Sequence, residues 1–376
     1  MANTQSPPSG TEVGTTGPVL IIGAGLLGAS LGMRLSKLGV PVFLRDIYPV
    51  VSALACDMGA GSTWEENSPE PALVVVATPP DVAAEQVIAA LKEFPGALVT
   101  DVASVKSVIL EEVAESGADL SRYVGCHPMA GRERSGTAFA REDLFESRPW
   151  VIVPNEKTAA GAVLAMRSLA LDVGSLPLQL DAETHDQSVA LVSHVPQLVS
   201  SLLAAQLAKA LPESLGLAGQ GLRDTTRIAS SNPALWAAII AGNADHVAKV
   251  LRGFADDMQQ VLHALEHPGA AIPSPSLVGA VTLAMRQGNL GVARIPGKHG
   301  GAPRRYQEVM VKVPDEAGTL GRLFQAVGET GINIEDLELE HSPGAAFGIA
   351  RLSIEPNSAA SLAEKLEIKG WEIVAS

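Results

Sequence analysis

Gly23-Ala24-Gly25-Leu26-Leu27-Gly28 follows the uninterrupted apolar run Pro18-Val19-Leu20-Ile21-Ile22, and that order leaves few folds open. Such a run suits a strand buried on both faces, and G-x-G-x-x-G directly after it is the turn into a helix that packs back on the strand. A helical pattern continues to Lys37 and stops at Gly39, and a second strand, Val42-Phe43-Leu44, ends in Arg45-Asp46. Strand, helix and strand within about 30 residues, closed by an acid, are the fingerprint of a dinucleotide-binding fold. Each glycine has a separate task. Gly23 allows the tight turn, Gly25 lets the backbone approach a pyrophosphate, and Gly28 permits close packing of helix on strand, with the phosphates at the helix N-terminus beside Leu26 and Leu27. Asp46 is placed to accept from ribose hydroxyls and to repel a 2′-phosphate, which favours NAD over NADP. Arg45 is the group that would favour the phosphorylated cofactor.

The alternation continues. Leu73 to Ala77 reads as a strand, Asp81 to Lys92 as a helix, Ala97 to Thr100 as a strand and Val105 to Glu115 as a helix, which predicts a doubly wound, Rossmann-like parallel sheet over residues 18–180. Ligands of such sheets lie beyond the carboxyl ends of the strands. Three polar clusters fall there: Thr78-Pro79-Pro80, the stretch from Asp101 to Lys106, and Cys126-His127-Pro128. Pro128 biases His127 toward extended backbone. Ser104 is either the N-cap of the following helix or a donor in the site, or both. The loop from Gly131 to Arg148, with Glu133 and Arg134, is long enough for a lid. Trp150 to Pro154, Thr158 to Leu171 and Leu176 to Leu178 then read as strand, helix and strand.

Residues 181–293 are rich in alanine and leucine with helical periodicity, predicting an all-α domain whose large apolar faces serve as a subunit interface. A helix over 183–211 carries His185, Asp186, Ser193, His194 and Gln197, and Pro196 should kink it. At about 100° per residue, His185 lies about 180° from His194, so on a straight helix His185, His194 and Gln197 cannot share one pocket. Arg223 and Arg227 stand four apart on one helical face, a like-charge pair answered either by a bound carboxylate or by Asp224 or Asp186. Trp236 opens another apolar helix. Residues 294–305 read as a linker. The order βαββαβ over 306–376 predicts a small ferredoxin-like α+β domain, whose six basic against twelve acidic residues from position 305 onward argue against RNA.

The whole chain carries 27 Lys and Arg against 41 Asp and Glu, a balance that argues against nucleic acid and anionic membrane as partners. Cys56 and Cys126, the two cysteines, supply neither a disulfide framework nor metal-ligand spacing and fit a reducing compartment. Residues 1–17 contain no Lys or Arg, unlike a signal peptide, and read as a disordered tail. No apolar run approaches the ~20 residues of a spanning helix without glycine or polar interruptions. These features together predict a cytoplasmic protein.

The motifs Asp101-Val102-Ala103-Ser104-Val105-Lys106, His127-Pro128-Met129-Ala130-Gly131 with Glu133 and Ser135-Gly136, His185-Asp186, Ser193-His194-Val195-Pro196 and Asp224-Thr225-Thr226-Arg227 occur in this order. With them the first 290 residues resemble the prephenate and arogenate dehydrogenases of tyrosine biosynthesis, and residues 305 to 376 resemble an ACT domain. The resemblance implies an NAD-dependent oxidative decarboxylation of prephenate to 4-hydroxyphenylpyruvate, or of arogenate to tyrosine. It implies His127 as acceptor from the ring hydroxyl, with Ser104 on the same hydroxyl and Thr78 and Asp101 on the cofactor edge. Arg227 would clamp a carboxylate, Ser193 and His194 would line the pocket, and Asp186 and Glu133 would pair with Arg227 to gate it. Trp236 would come from the partner of a homodimer. Gln197 stands where the family often has a second histidine, and Arg223 beside the pocket disfavours an ammonium, which favours prephenate. An ACT domain implies an amino-acid effector such as tyrosine near Gly318 and Asn333. Two rivals remain: a 3-hydroxy acid dehydrogenase, which would need a lysine near Ser193 to Gln197, and a nucleotide- and amino-acid-sensing regulator without catalysis.

Overall fold

The apolar run after the tail becomes β1 (Val19–Ile22), and its alternating side chains feed two cores: Val19 and Ile21 enter one, Leu20 and Ile22 the other. That is the pattern of a strand covered by helices on both faces. The computed structural model describes residues 13–131, 135–267, 274–296, 306–341 and 346–374. These form two units: residues 13–208 with 226–253, and residues 209–225 with 254–374.

In the first unit β1 is followed by α1 (Leu26–Lys37), β2 (Val42–Arg45), α2 (Pro49–Asp57), β3 (Ser62–Thr63), β4 (Leu73–Val76), α3 (Pro80–Glu93), β5 (Leu98–Asp101), α4 (Ser107–Glu115), β6 (Tyr123–Pro128), β7 (Pro149–Val153), α5 (Ala160–Asp172) and β8 (Leu176–Gln179). The strands form one sheet in the order β3-β2-β1-β4-β5-β6-β7-β8. Every pairing is parallel except β6 with β7, where His127 faces Val151 in antiparallel register. An all-parallel sheet was the expectation. A parallel return needs a crossover, usually a helix, and the described residues between β6 and β7 hold only a 3-10 turn at Thr137–Phe139. The end of the tail also differs from expectation: Thr15 donates from its backbone N–H to Asp172 Oδ2 at 2.7 Å and is buried. Residues 1–12 lie outside the described residues.

The helical segment opens with α6 (Ala182–Val189), a π turn at Ala190–His194, and α7 (Val195–Leu207). It is the one described helix long and apolar enough to cross a membrane by length and composition, yet it buries His185, Asp186, His194 and Gln197. After α8 (Pro212–Leu215) and α9 (Gln220–Thr226) come α10 (Pro233–Ala241), α11 (Ala244–Glu266) and α12 (Pro275–Val292). Ile239 of α10 joins the core beneath α3 and α4, so α10 is joined to the helical layer on the sheet.

The second unit contains β9 (Gln307–Pro314), α13 (Thr319–Gly328), β10 (Asp336–His341), β11 (Phe347–Ile354), α14 (Pro356–Ile368) and β12 (Glu372–Val374). The antiparallel order β10-β11-β9-β12 is the ferredoxin-like arrangement expected from the sequence. Val309, Val311 and Val313 alternate into its core, where Leu323 and Leu362 of the two helices meet them.

Candidate active site

The glycine loop has the geometry its sequence requires. Gly23 sits at φ +97°, and a Cβ there would meet the Ala77 carbonyl at 2.6 Å; a Cβ on Gly28 would meet the Gly23 carbonyl at 1.9 Å. At Gly25 a Cβ would meet nothing within 4 Å, so the backbone faces open space where α1 begins. No side chain caps that end of α1 and no acid lies in its first turn, which leaves its N–H groups for an anion. Asp46 Oδ2 accepts from Ala24 N at 2.9 Å and Oδ1 from Tyr48 N at 2.9 Å, holding the carboxylate against the loop. Arg45 turns away: its guanidinium grips both oxygens of Glu93 at 2.7 and 2.8 Å and lies over Trp64 and Phe94. A cation so engaged is a poor receptor for a 2′-phosphate. At the end of β4, Thr78 Oγ1 is buried without a hydrogen-bond partner among the described residues, a polar atom a bound cofactor would satisfy. The loop, the open helix end and the orphaned hydroxyl together fit a dinucleotide.

Asp101 does not contribute directly. Its Oδ1 accepts from Lys106 Nζ and from Ala103 N at 2.9 Å, and its Oδ2 from Tyr123 OH at 2.7 Å. Asp101 is fully buried, with both oxygens engaged within the protein, so it braces β5 and β6 instead of meeting the cofactor. Lys106 is buried with it, and its stem passes so close to Gly125 that a Cβ there would meet Lys106 Cδ at 3.0 Å. Burial, then Asp101, pushes the Tyr123 hydroxyl well above its usual pKa. Burial likewise pushes the Cys126 thiol up to about 11, which removes it as a nucleophile at neutral pH.

His127 stands at the carboxyl end of β6, with only 7% of its surface exposed. Its Nδ1 lies 2.8 Å from His185 Nε2, and His185 Nδ1 lies 2.7 Å from Asp186 Oδ1. Asp186 also accepts from the backbone N–H groups of Lys106 (2.9 Å) and Ser107 (2.8 Å). Asp186, eighty residues on, therefore caps α4, and Ser104, half-buried in the preceding loop, is not the cap. The same contacts overturn Asp186 as a gate paired to Arg227, because both of its oxygens are occupied deep in the fold. Burial raises the Asp186 pKa, but hydrogen bonds from His185 and Ser107 outweigh it and leave the carboxyl below its usual value.

His185, His194 and Gln197 are all buried in the first unit, and the helix that carries them is not a straight α-helix. The π turn at Ala190–His194, immediately before Pro196, widens the helix and shifts its phase. Asn243 joins the two histidine-bearing ends: its Nδ2 lies 2.8 Å from the Asp186 carbonyl and 3.1 Å from His194 Nδ1. Trp236 meets His194 of the same chain edge-on, with centroids 6.1 Å apart. Ser193 is half-buried beside His194.

Gln197 does not face outward to read a ligand. Its Nε2 donates to the Ile228 carbonyl at 2.8 Å, and Ser231 Oγ donates to the same carbonyl at 2.7 Å. The amide thus pins the 3-10 turn Arg227–Ala229 to α7, and Arg227 itself is exposed on that turn. Arg223 falls in the second unit, and Glu133 lies outside the described residues. Sequence reasoning missed Lys106, Tyr123 and Asn243, whose roles depend on contacts 5 to 57 positions away. Only the buried-strand context of Tyr123 offered a signal.

A glycine loop at a switch of strands, an acid on the second strand and a buried imidazole at a neighbouring strand end define a dinucleotide-dependent dehydrogenase. Family profiles for the prephenate dehydrogenase nucleotide-binding domain and dimerization domain match residues 30–176 and 181–270. The chain belongs to the prephenate dehydrogenase family. It is 33% identical to a probable prephenate dehydrogenase, NovF, of Streptomyces niveus, over 94% of this chain and 98% of that protein. It is 27% identical to the prephenate dehydrogenase of Bacillus subtilis, over 92% and 94%. Among solved structures it is similar to the Aquifex aeolicus prephenate dehydrogenase in complex with hydroxyphenyl propionate and NAD+, at 26% identity and a TM-score of 0.62, covering 73% of this chain and 97% of that one. The Synechocystis arogenate dehydrogenase matches at 25% identity and a TM-score of 0.58, covering 73% and 99%.

Proposed function

We propose that the protein oxidatively decarboxylates prephenate to 4-hydroxyphenylpyruvate. NAD, held by the glycine loop and Asp46, supplies the hydride acceptor. Carrying this reading is the buried His127, whose pKa is held well below 6.5 by burial, with the His185 ring, the Lys106 ammonium and the His194 ring adding to it. A neutral imidazole at a strand end is an acceptor at physiological pH. The ring-hydroxyl proton passes to His127 as the adjacent C–H pair leaves as hydride and C–O becomes C=O. Loss of the ring carboxylate as carbon dioxide returns its bonding pair to the ring, and the oxygen takes the proton back from His127 to give a phenol. The proton is neither consumed nor released overall.

His194 complements this arrangement. Its pKa falls to about 4, chiefly through burial with the His185 ring adding, against the opposing pull of Asp186. The Asn243 amide addresses its Nδ1, so the neutral ring carries its hydrogen on Nε2 and acts as a donor. Arg227 clamps a carboxylate, and Ser104 bonds the ring hydroxyl.

The exposed leucines of α7 (Leu202, Leu203) and of α11 (Leu262, Leu265) support a homodimer. The two free cysteines support a cytoplasmic enzyme. The C-terminal unit serves as an ACT-type receptor for an amino-acid effector such as tyrosine, an assignment supported by Gly318, at φ +84°, opening α13 without a side-chain cap. A shift in melting temperature with millimolar tyrosine tests that effector.

One assay tests the function: purified protein with NAD or NADP is given prephenate or arogenate, and reduced cofactor is followed by absorbance. Turnover with NAD and prephenate is expected. Turnover with arogenate alone would reassign the substrate, and turnover with neither would overturn the reading.

A further inference from the structure

His185 and Asp186 lie behind the acceptor face of His127, and with both rings neutral their hydrogen bonds admit one consistent assignment of protons. The Asp186 carboxylate can only accept, and Oδ1 already takes the Lys106 N–H while Oδ2 takes the Ser107 N–H. The 2.7 Å contact from His185 Nδ1 to Oδ1 therefore places a hydrogen on His185 Nδ1. In neutral His185 this leaves Nε2 bare. That atom lies 2.8 Å from His127 Nδ1, so the hydrogen between the rings belongs to His127, and the lone pair of His127 is on Nε2. The rings meet at 70° with centroids 5.1 Å apart, edge to edge as an N–H to lone-pair contact requires.

We propose that His185 and Asp186 form a proton relay behind His127 that fixes it as the Nδ1–H tautomer and shares the proton it takes from substrate. The proposal rests on the acceptor role given to His127 above. When the substrate O–H bond breaks and its proton binds His127 Nε2, the His127 Nδ1–H bond lengthens toward His185 Nε2 and the His185 Nδ1–H bond toward Asp186. The positive charge is thereby spread from ring to ring with a carboxylate as its counter-charge. Return of the proton to the product oxygen resets all three groups, so no external acid or base is needed.

The surroundings keep the relay closed. His127, His185 and Asp186 are 7%, 0% and 1% exposed, so water does not compete for these bonds. From the loop before α4 the Lys106 ammonium faces the cluster, neutralised by Asp101 of β5, to which Tyr123 of β6 also donates. From the π turn the His194 ring approaches through Asn243, whose amide also holds the Asp186 carbonyl. Lys106 and His194 oppose charge on His127, and Asp186 is the one carboxylate in the chain of bonds that answers it. His185 and Asp186 are positioning residues, since they reach the substrate only through His127.

Nitrogen NMR of histidine-labelled protein at neutral pH tests the tautomer without any variant. A bare Nε2 and a protonated Nδ1 on His127, and the same pattern on His185, are expected; a protonated Nε2 on His127 overturns the relay. For kinetics, His185→Asn is expected to lower kcat roughly 10²-fold with the prephenate KM within about threefold, the split expected of a group that acts on the proton and not on binding. Unchanged kcat in folded His185→Asn also overturns it. Should the protein prove inactive on prephenate, the NMR result still decides the tautomer, so the two readings fail separately.

Discussion

Gln197 donates its side-chain N–H to the carbonyl of Ile228 at 2.8 Å, and through that bond a residue buried in α7 sets the position of the neighbouring Arg227. Gln197→Ala removes one of the two donors to that carbonyl, Ser231 Oγ remaining at 2.7 Å, at a cost of about 0.5–1.5 kcal/mol, and loosens the turn that carries the guanidinium. Steady-state kinetics are expected to show the prephenate KM rising roughly tenfold with kcat nearly retained, the mark of lost binding in ground and transition states alike. Arg227→Ala should raise KM further. A normal KM in Arg227→Ala would remove the carboxylate clamp, and a normal KM in Gln197→Ala alone would limit Gln197 to packing.

The glycine loop separates binding from folding. A Cβ at Gly25 meets nothing within 4 Å, whereas one at Gly28 meets the Gly23 carbonyl at 1.9 Å. Gly25→Ala is therefore expected to fold with an unchanged melting temperature and to bind NAD at least tenfold more weakly, because the methyl fills the space where the backbone approaches a pyrophosphate. Gly28→Ala should lower the melting temperature by forcing α1 off β1. Calorimetric titration of NAD and thermal melts separate the two outcomes.

Most of this architecture was legible in the sequence for local reasons. Val19 to Ile22, the three glycines and Asp46 fix a strand, a turn and a helix within one short stretch, and the βαββαβ order near the C-terminus is likewise a pattern of neighbours. The failures share one cause, contact across long separations. The resemblance made Asp186 a gate paired with Arg227, while the fold sets its carboxylate on the N–H groups of Lys106 and Ser107. His185 and His194 looked divergent because 100° per residue was carried through a segment that the structure winds as a π turn. Gln197 looked like a specificity residue for want of the Ile228 carbonyl. The antiparallel β7 was missed because a long loop without a helix was read as a lid and not as the return it makes.

His127→Asn removes the acceptor while leaving an amide of smaller volume at the end of β6. Turnover is expected to fall roughly 10²-fold or more, with the NAD dissociation constant within about twofold, since the glycine loop and Asp46 are untouched. Turnover within a few-fold of the parent enzyme would sink His127 as the acid-base group.

The two depressed histidines also predict how stability depends on pH. In the native protein His127 is held well below 6.5 and His194 at about 4, both chiefly by burial. In the unfolded chain each returns to about 6.5. Below that pH the unfolded chain binds more protons than the native one, so stability rises with pH there; the contribution is complete above about 6.5 and is lost as pH falls. For His194 the loss runs down to about 4 and is on the order of 3 kcal/mol. Asp186, held below 3.8, adds a separate loss only below that value. Urea midpoints are therefore expected to be flat between about pH 8 and 7 and to fall steadily toward about pH 4, with a shallower fall in His194→Gln, which has no proton to gain. An acid limb that begins only below about pH 4, or an equal slope in His194→Gln, would show that these rings are not kept neutral by the fold.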